Sequence, residues 1–223
     1  MRGMRIVLAA AAFLGALLLT AATPAGTTFG PPGLIAFSRC RPDGCGEGTD
    51  LWLMRQDATG LRRLTRRRIH NDAPTWSPDG QSLAFSYVRR PHSGRYAIFV
   101  VGRDGSGLRR VSHNAHDDYW DPAWSPGGRT IAFTLVYRSG KGYRADLEVM
   151  RADGAGQRSV AHAPAGWAYF SPSWSPDSAA LVFVQLHASD GMGRISFVDA
   201  SGRRLHRLGQ LLSDNRTPAW QPA

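Results

Sequence analysis

Apolar residues in this chain come in short runs, and from Leu34 onward the runs keep one order. One kind is Leu34-Ile-Ala-Phe-Ser38, Ser82-Leu-Ala-Phe-Ser86, Thr130-Ile-Ala-Phe-Thr134 and Ala180-Leu-Val-Phe-Val184. After a polar loop comes a second kind: Leu51-Trp-Leu-Met54, Tyr96-Ala-Ile-Phe-Val-Val101, Asp146-Leu-Glu-Val-Met150 and Arg194-Ile-Ser-Phe-Val198. The pairs Asp104-Gly105, Asp153-Gly154 and Ser201-Gly202 then supply hairpin turns into a third, arginine-bearing kind. Its members are Leu61-Arg-Arg-Leu-Thr65, Leu108-Arg-Arg-Val-Ser112, Gln157-Arg-Ser-Val160 and Arg204-Leu-His-Arg-Leu208. Runs this short, rich in β-branched and aromatic residues and bounded by turn formers, predict antiparallel strands. A helical period of 3.6 appears nowhere after residue 33, which excludes an α-solenoid.

A further strand precedes each Phe-bearing run and ends in tryptophan. Pro74-Thr-Trp-Ser-Pro-Asp-Gly80 is followed by Pro122-Ala-Trp-Ser-Pro-Gly-Gly128, Pro172-Ser-Trp-Ser-Pro-Asp-Ser178 and a truncated Thr217-Pro-Ala-Trp-Gln-Pro222. Trp76, Trp124, Trp174 and Trp220 are 48, 50 and 46 residues apart. Four short strands per unit of that length predict an all-β fold, a β-propeller of four four-stranded antiparallel blades. The unit that starts at Leu34 lacks its first strand, and a spare first strand stands at the other end as Thr217–Trp220. Pairing the two closes the ring and leaves no unpaired sheet edge. The alternative is a half-ring completed by a second copy. The tryptophans and the Phe of each Ala-Phe or Val-Phe pair are expected to pack between blades.

The Pro-x-Trp-Ser-Pro-Asp-Gly-x-x-Leu-Ala-Phe motif from Pro74, its copies, the Asp-Gly hairpins and the ending Pro-Ala-Trp-Gln-Pro resemble the TolB-like propeller repeats, a WD-repeat-like family. The resemblance spans about Gly33 to Ala223. It implies a propeller of the cell envelope whose relatives mostly bind proteins without catalysing a reaction. The TolB proteins themselves carry an α/β domain ahead of six blades, whereas this sequence shows four copies of the motif and no such domain. The same repeats also accompany peptidases and polysaccharide-degrading enzymes, so they do not by themselves choose a class.

The N-terminus changes the picture of compartment. Arg2 and Arg5 precede the fourteen-residue apolar run Ile6–Leu19, and small residues follow through Ala25. That is the pattern of a secretory signal peptide over 1–25, with an uncleaved anchor as the alternative. Residues 26–33 read as a linker and 34–223 as the propeller. An exported protein is expected, periplasmic, in the cell envelope or secreted, with no stable membrane insertion after cleavage. Cys40 and Cys45, the only cysteines, flank a Pro-Asp-Gly turn and are expected to form a disulfide that tightens one loop.

Net charge is +10, carried by 27 basic against 17 acidic residues. The arginines on the last strand of each unit sit where charge discourages edge-to-edge association. With export expected and Arg66-Arg-Arg68 the only basic run, nucleic acid is not an expected partner. A protein partner or an anionic envelope polymer is, and the chain is expected to be a monomer.

Candidate chemistry lies just before each Trp strand, where a blade's first strand should open onto one end of the central channel. There Asp72, Asp118, Asp121 and Arg216 are candidate polar contacts and Trp120, Trp167 and Tyr169 candidate flat ones for a ligand or partner. No cofactor is expected, and the metal-ligating types in His113–Asp121 sit in an irregular loop. Gly-x-Ser-x-Gly, His-Glu-x-x-His and a phosphate-binding Gly-rich loop with Lys are all missing. The first reading is therefore a non-catalytic binding platform. Its alternative is a propeller hydrolase or lyase using Asp and His at the channel mouth.

Overall fold

The structure, a computed structural model, describes residues 33–41, 44–66, 70–88, 95–114, 117–139, 142–187, 191, 193–208 and 218–220. The proposed signal peptide, all of the linker but Gly33, Arg216 and the side chain of Cys45 lie outside that description. Every regular element described is a strand. The strands fall into four successive ladders, the last three running outward from an inner strand and all four ending in a short arginine-bearing one.

The first ladder is β1 (Leu34–Arg41), β2 (Gly44–Arg55) and β3 (Arg62–Arg63), and among the described residues it has no inner strand. The second is β4 (His70–Trp76), β5 (Ser82–Val88), β6 (Ala97–Gly102) and β7 (Arg109–Arg110). The third is β8 (Asp118–Trp124), β9 (Thr130–Ser139), β10 (Gly142–Arg151) and β11 (Arg158–Ala161). The fourth is β12 (Trp167–Trp174), β13 (Ala180–His187), β14 (Gly193–Asp199) and β15 (Leu205–Arg207). Neighbours within a ladder are antiparallel. One parallel contact between β10 and β12, Ala145 opposite Ala168, joins the last two ladders into an eight-stranded sheet.

The turns follow from their side chains. In Ser77-Pro-Asp-Gly80 the Ser77 hydroxyl donates to Asp79 at 2.6 Å, the Gln81 amide donates to the same carboxylate oxygen, and Gly80 takes φ +65°. Ser175 and Asp177 repeat that geometry at 2.5 Å. Hydrogen bonds of this kind, the serine hydroxyl first, hold the Asp79 and Asp177 carboxyls below the ordinary carboxylate range.

Apolar burial lies between ladders. Phe85, Phe133 and Phe183, the repeated Phe of each motif, are all fully buried. Leu51, Leu53, Leu83 and Phe85 join the first ladder to the second. Ala84, Ile98, Ile131 and Phe133 join the second to the third, and Leu147, Val149, Leu181 and Phe183 the third to the fourth.

The arginines of the outer strands do more than guard an edge. Arg62, Arg109 and Arg158 each donate across to a main-chain carbonyl on the next ladder, those of Arg103, Ala152 and Ala200. Just past each acceptor a glycine turns under the previous ladder. A Cβ on Gly154 would stand 2.2 Å from the Val111 carbonyl oxygen, and one on Gly202 2.6 Å from that of Val160. Both have positive φ, so neither space nor backbone admits a side chain there.

The junction from the fourth ladder back to the first lacks both devices. By strand register His206 stands where the other ladders have Arg62, Arg109 and Arg158, and Ala58 stands where they have glycine. Ile35 is 42% exposed, whereas Leu83, Ile131 and Leu181 at the equivalent register are 0% exposed. Leu61, Leu205, Leu208 and Trp220, the other exposed large apolar side chains among the described residues, belong to the same two ladders and the C-terminal motif. Among the described residues β1 pairs with β2 alone, and Pro218–Trp220 form no strand. The strand pair expected to close the ring is therefore not among the pairings described.

Candidate functional site

The inner strands of the last three ladders share a defect. β4, β8 and β12 each slip register one turn before their tryptophan, between Asp72 and Thr75, Trp120 and Ala123, and Phe170 and Ser173. At the slip, Ala73, Asp121 and Ser171 take φ of 51°, 50° and 52°, a left-handed conformation unusual for residues with a Cβ, and proline follows each. The bulges line one cavity of about 400 Å³, and Pro218 of the truncated fourth motif lines it with them.

Asp121 acts between two of these strands. Its carboxylate accepts the Ser171 amide at 3.1 Å and the Ser171 hydroxyl at 3.4 Å, tying the third ladder to the fourth. Burial pushes its carboxyl above the ordinary range, the nearby Asp72 carboxylate adds to that, and the two Ser171 bonds oppose it. Asp72 itself is exposed.

The predicted contact residues separate by depth. Asp118 is fully buried and accepts the Tyr96 amide at 2.7 Å, so its carboxylate holds the start of β6 and offers no surface to a partner. Tyr169 is 2% exposed and packs on Phe183, ring centroids 4.9 Å apart; its phenol is pushed up by burial. Trp120 is half-buried, edge-on to Tyr96 at 5.2 Å and packed against Val136, Ala145 and Ala168. Trp167 is also half-buried but not bare. The Arg194 guanidinium lies 4.8 Å from its ring centroid, that of Arg207 5.9 Å, and the His187 ring 4.6 Å.

Sequence reasoning missed Tyr96, His187, Arg194 and Arg207. Their signal was available: Tyr96 and Arg194 occupy the start of a third strand, and antiparallel order returns that point to the end where the inner strand begins. Arg207 required knowing which way the outer strand's side chains lean, which the sequence does not state.

One Ser, His and Asp cluster occurs, on β10, β11 and the loop after β11. Asp146 is fully buried and accepts the Ala163 amide at 2.9 Å, meets His162 Nδ1 at 2.9 Å and pairs with Arg144 at 3.1 Å. The Ser159 hydroxyl also meets His162 at Nδ1, 3.4 Å away. A base that relays a proton from serine needs the hydroxyl on one ring nitrogen and the carboxylate on the other. With both on Nδ1, the cluster is a structural clasp. His113 Nε2 donates to the Gly154 carbonyl at 2.9 Å, and Asp117 accepts from Asn114 Nδ2 at 2.7 Å. Among the described residues no three His, Cys, Asp or Glu gather to hold a metal; His116 lies outside them.

Comparison with known proteins agrees with this architecture. The profile of the TolB beta propeller domain matches residues 29–223. The uncharacterized protein Atu1656 of Agrobacterium fabrum is 31% identical over 141 residues, 61% of this chain and 47% of that protein. A solved structure assigned as TolB from Agrobacterium tumefaciens is 23% identical, with a TM-score of 0.69 over 84% of this chain and 66% of the other. TolB from Acinetobacter baumannii is 19% identical, with a TM-score of 0.65 over 84% of this chain and 44% of the other. At such identities the two structures establish the fold alone. The chain spans about half the length of the Agrobacterium fabrum relative.

Proposed function

Since the chain belongs to the TolB β-propeller domain family, we propose that it is an exported, non-catalytic platform that binds a protein partner at the end where its inner strands begin. The observation that carries this is the half-buried Trp167 ring, ringed by Arg194, Arg207 and His187 on one end of the fourth ladder. Trp120, Tyr96 and Asp72 extend the same end over the neighbouring ladders. Partly exposed indole and guanidinium groups are the side chains that anchor protein interfaces. The Ser159, His162 and Asp146 cluster, with both partners on one nitrogen, supports the non-catalytic reading.

Export rests on the signal-like pattern over 1–25. In an oxidising compartment the Cys40 and Cys45 thiols are proposed to bridge across the β1–β2 hairpin, whose register sets Arg41 opposite Gly44. The four ladders are proposed to form one wheel, shut by Thr217–Trp220 lying along β1. Two facts support that closure. Pro218 lines one cavity with Pro74, Pro122 and Pro172, and among the described residues the first ladder lacks an inner strand.

The test is a pull-down from cell-envelope extract with the tagged mature protein beside the Trp167→Ala, Arg207→Ala double variant. A protein retained by the parent and lost from a variant with an unchanged circular dichroism spectrum is the expected result. The same proteins retained by both would overturn the choice of this face.

A further inference from the structure

The fourth ladder inverts a charge that the first and third keep. By register, Asp50, Ala97, Asp146 and Arg194 occupy the same place, one residue before the third strand's paired Leu51, Ile98, Leu147 and Ile195. In the first ladder buried Asp50 takes the Arg63 guanidinium at 2.5 Å. In the third, buried Asp146 takes Arg144 and His162. Each of those ladders thus carries its own carboxylate for its own cations. In the fourth, a guanidinium stands at the carboxylate's place. Arg207 reaches the same indole, and neither arginine has a carboxylate within ion-pair distance among the described residues.

Resting on the proposed binding face, we infer that Arg194 and Arg207 over Trp167 take a carboxylate supplied from outside, an Asp or Glu side chain or the C-terminus of the partner protein. The geometry suits that ligand. A guanidinium is planar and presents paired N–H donors that match the two oxygens of a carboxylate. The Trp167 ring under both groups fixes their orientation before anything binds, which lowers the ordering cost of binding. Arg207 is exposed and Arg194 half-buried, so an incoming group can reach both. The +10 charge of the chain favours approach by an acidic partner, and Asp72, at the far side of the same end, favours one whose acidic group is local.

The test uses the mature protein and a fluorescent oligo-glutamate peptide, read by anisotropy at low and at physiological salt. Binding is expected, with Arg194→Gln and Arg207→Gln each weakening it about tenfold, the loss of one charge-assisted hydrogen bond. Arg103→Gln, an exposed arginine on another ladder, is expected to leave it unchanged. Arg194→Lys keeps the charge but not the fork and is expected to lose most of the affinity. Equal losses for all these variants would overturn the inference, because they would show only diffuse charge. Binding to anionic lipid vesicles but not to the peptide would overturn it too, as would no binding at all. If the envelope pull-down still finds a Trp167-dependent partner while the peptide fails, this inference falls and the platform reading stands.

Discussion

The indole N–H of Trp220 donates to the main-chain carbonyl of Ser173 at 3.2 Å, one repeat on from Trp174, which donates to that of Ala123 at 3.0 Å. In both cases the acceptor is the residue just before the preceding motif's tryptophan. The C-terminal motif thus takes an inner strand's station on the fourth ladder, although it carries no ladder of its own. Phe197, whose ring centroid is 6.3 Å from that of Trp220, completes the contact.

The two tryptophans should differ in what they hold. Trp174 is 7% exposed within the largest core cluster, and Trp174→Ala is expected to cost about 3–5 kcal/mol, the range for a large buried aromatic. Trp220 is 37% exposed, and Trp220→Ala should cost about 1 kcal/mol, mostly its hydrogen bond. Urea unfolding midpoints measure both. A larger loss at Trp220 than at Trp174 would contradict this account.

Glycine is not equally needed in every turn. Gly154→Ala forces a methyl group against the Val111 carbonyl at a positive φ of 98°, and a loss of about 3 kcal/mol or more is expected. Gly80→Ala meets nothing within 4 Å and is opposed only by its φ of 65°, so about 1 kcal/mol is expected. Thermal unfolding of the two variants should rank them in that order.

Asp121 gives a pH signature. A carboxyl whose folded value lies above its unfolded one keeps its proton longer in the native state. Stability attributable to it is full below the unfolded value of 3.8, falls as pH rises through the raised folded value, and is level beyond. Asp121→Asn keeps an acceptor for the Ser171 amide and has no such fall. The variant is therefore expected to gain on the parent as pH rises from about 3 to 7. The turn carboxyls held low by hydrogen bonds, Asp57, Asp79, Asp104, Asp153, Asp177 and Asp199, act in the opposite sense. They are common to both proteins and cancel in the difference. A constant gap between the two unfolding curves would refute the assignment.

Glu148 is 5% exposed and accepts the Tyr137 hydroxyl at 3.0 Å and Gln157 Nε2 at 2.7 Å. Gln157 in turn accepts the Tyr119 hydroxyl at 3.3 Å. Burial, with Glu148 next, pushes the Tyr137 phenol far above its ordinary range. Glu148→Ala strands both donors and is expected to cost about 1–3 kcal/mol, whereas Glu148→Gln should cost less because it leaves an acceptor. Denaturant titration at neutral pH distinguishes the two.

Much of the fold was legible because it repeats. A Phe nine residues after each Trp, with a Ser-Pro turn between, specifies an antiparallel pair without knowledge of anything distant. What escaped depends on how ladders meet. Arg62, Arg109 and Arg158 read as guards of a free edge, and only the neighbouring ladder's carbonyls reveal them as cross-links. Asp118 and Tyr169 read as contacts at the mouth because strand alternation fixes which face a side chain takes, not how deep that face lies. The bulges at Ala73, Asp121 and Ser171 were hidden for another reason: nothing in the residue types demands a left-handed backbone there.

Those bulges set Pro74, Pro122 and Pro172 on one cavity, and Pro126 and Pro218 also line it. Proline has no amide hydrogen, so at five points the wall of that cavity has no main-chain donor to offer. A ligand that needs main-chain N–H donors, as an anion does, finds none at those five points.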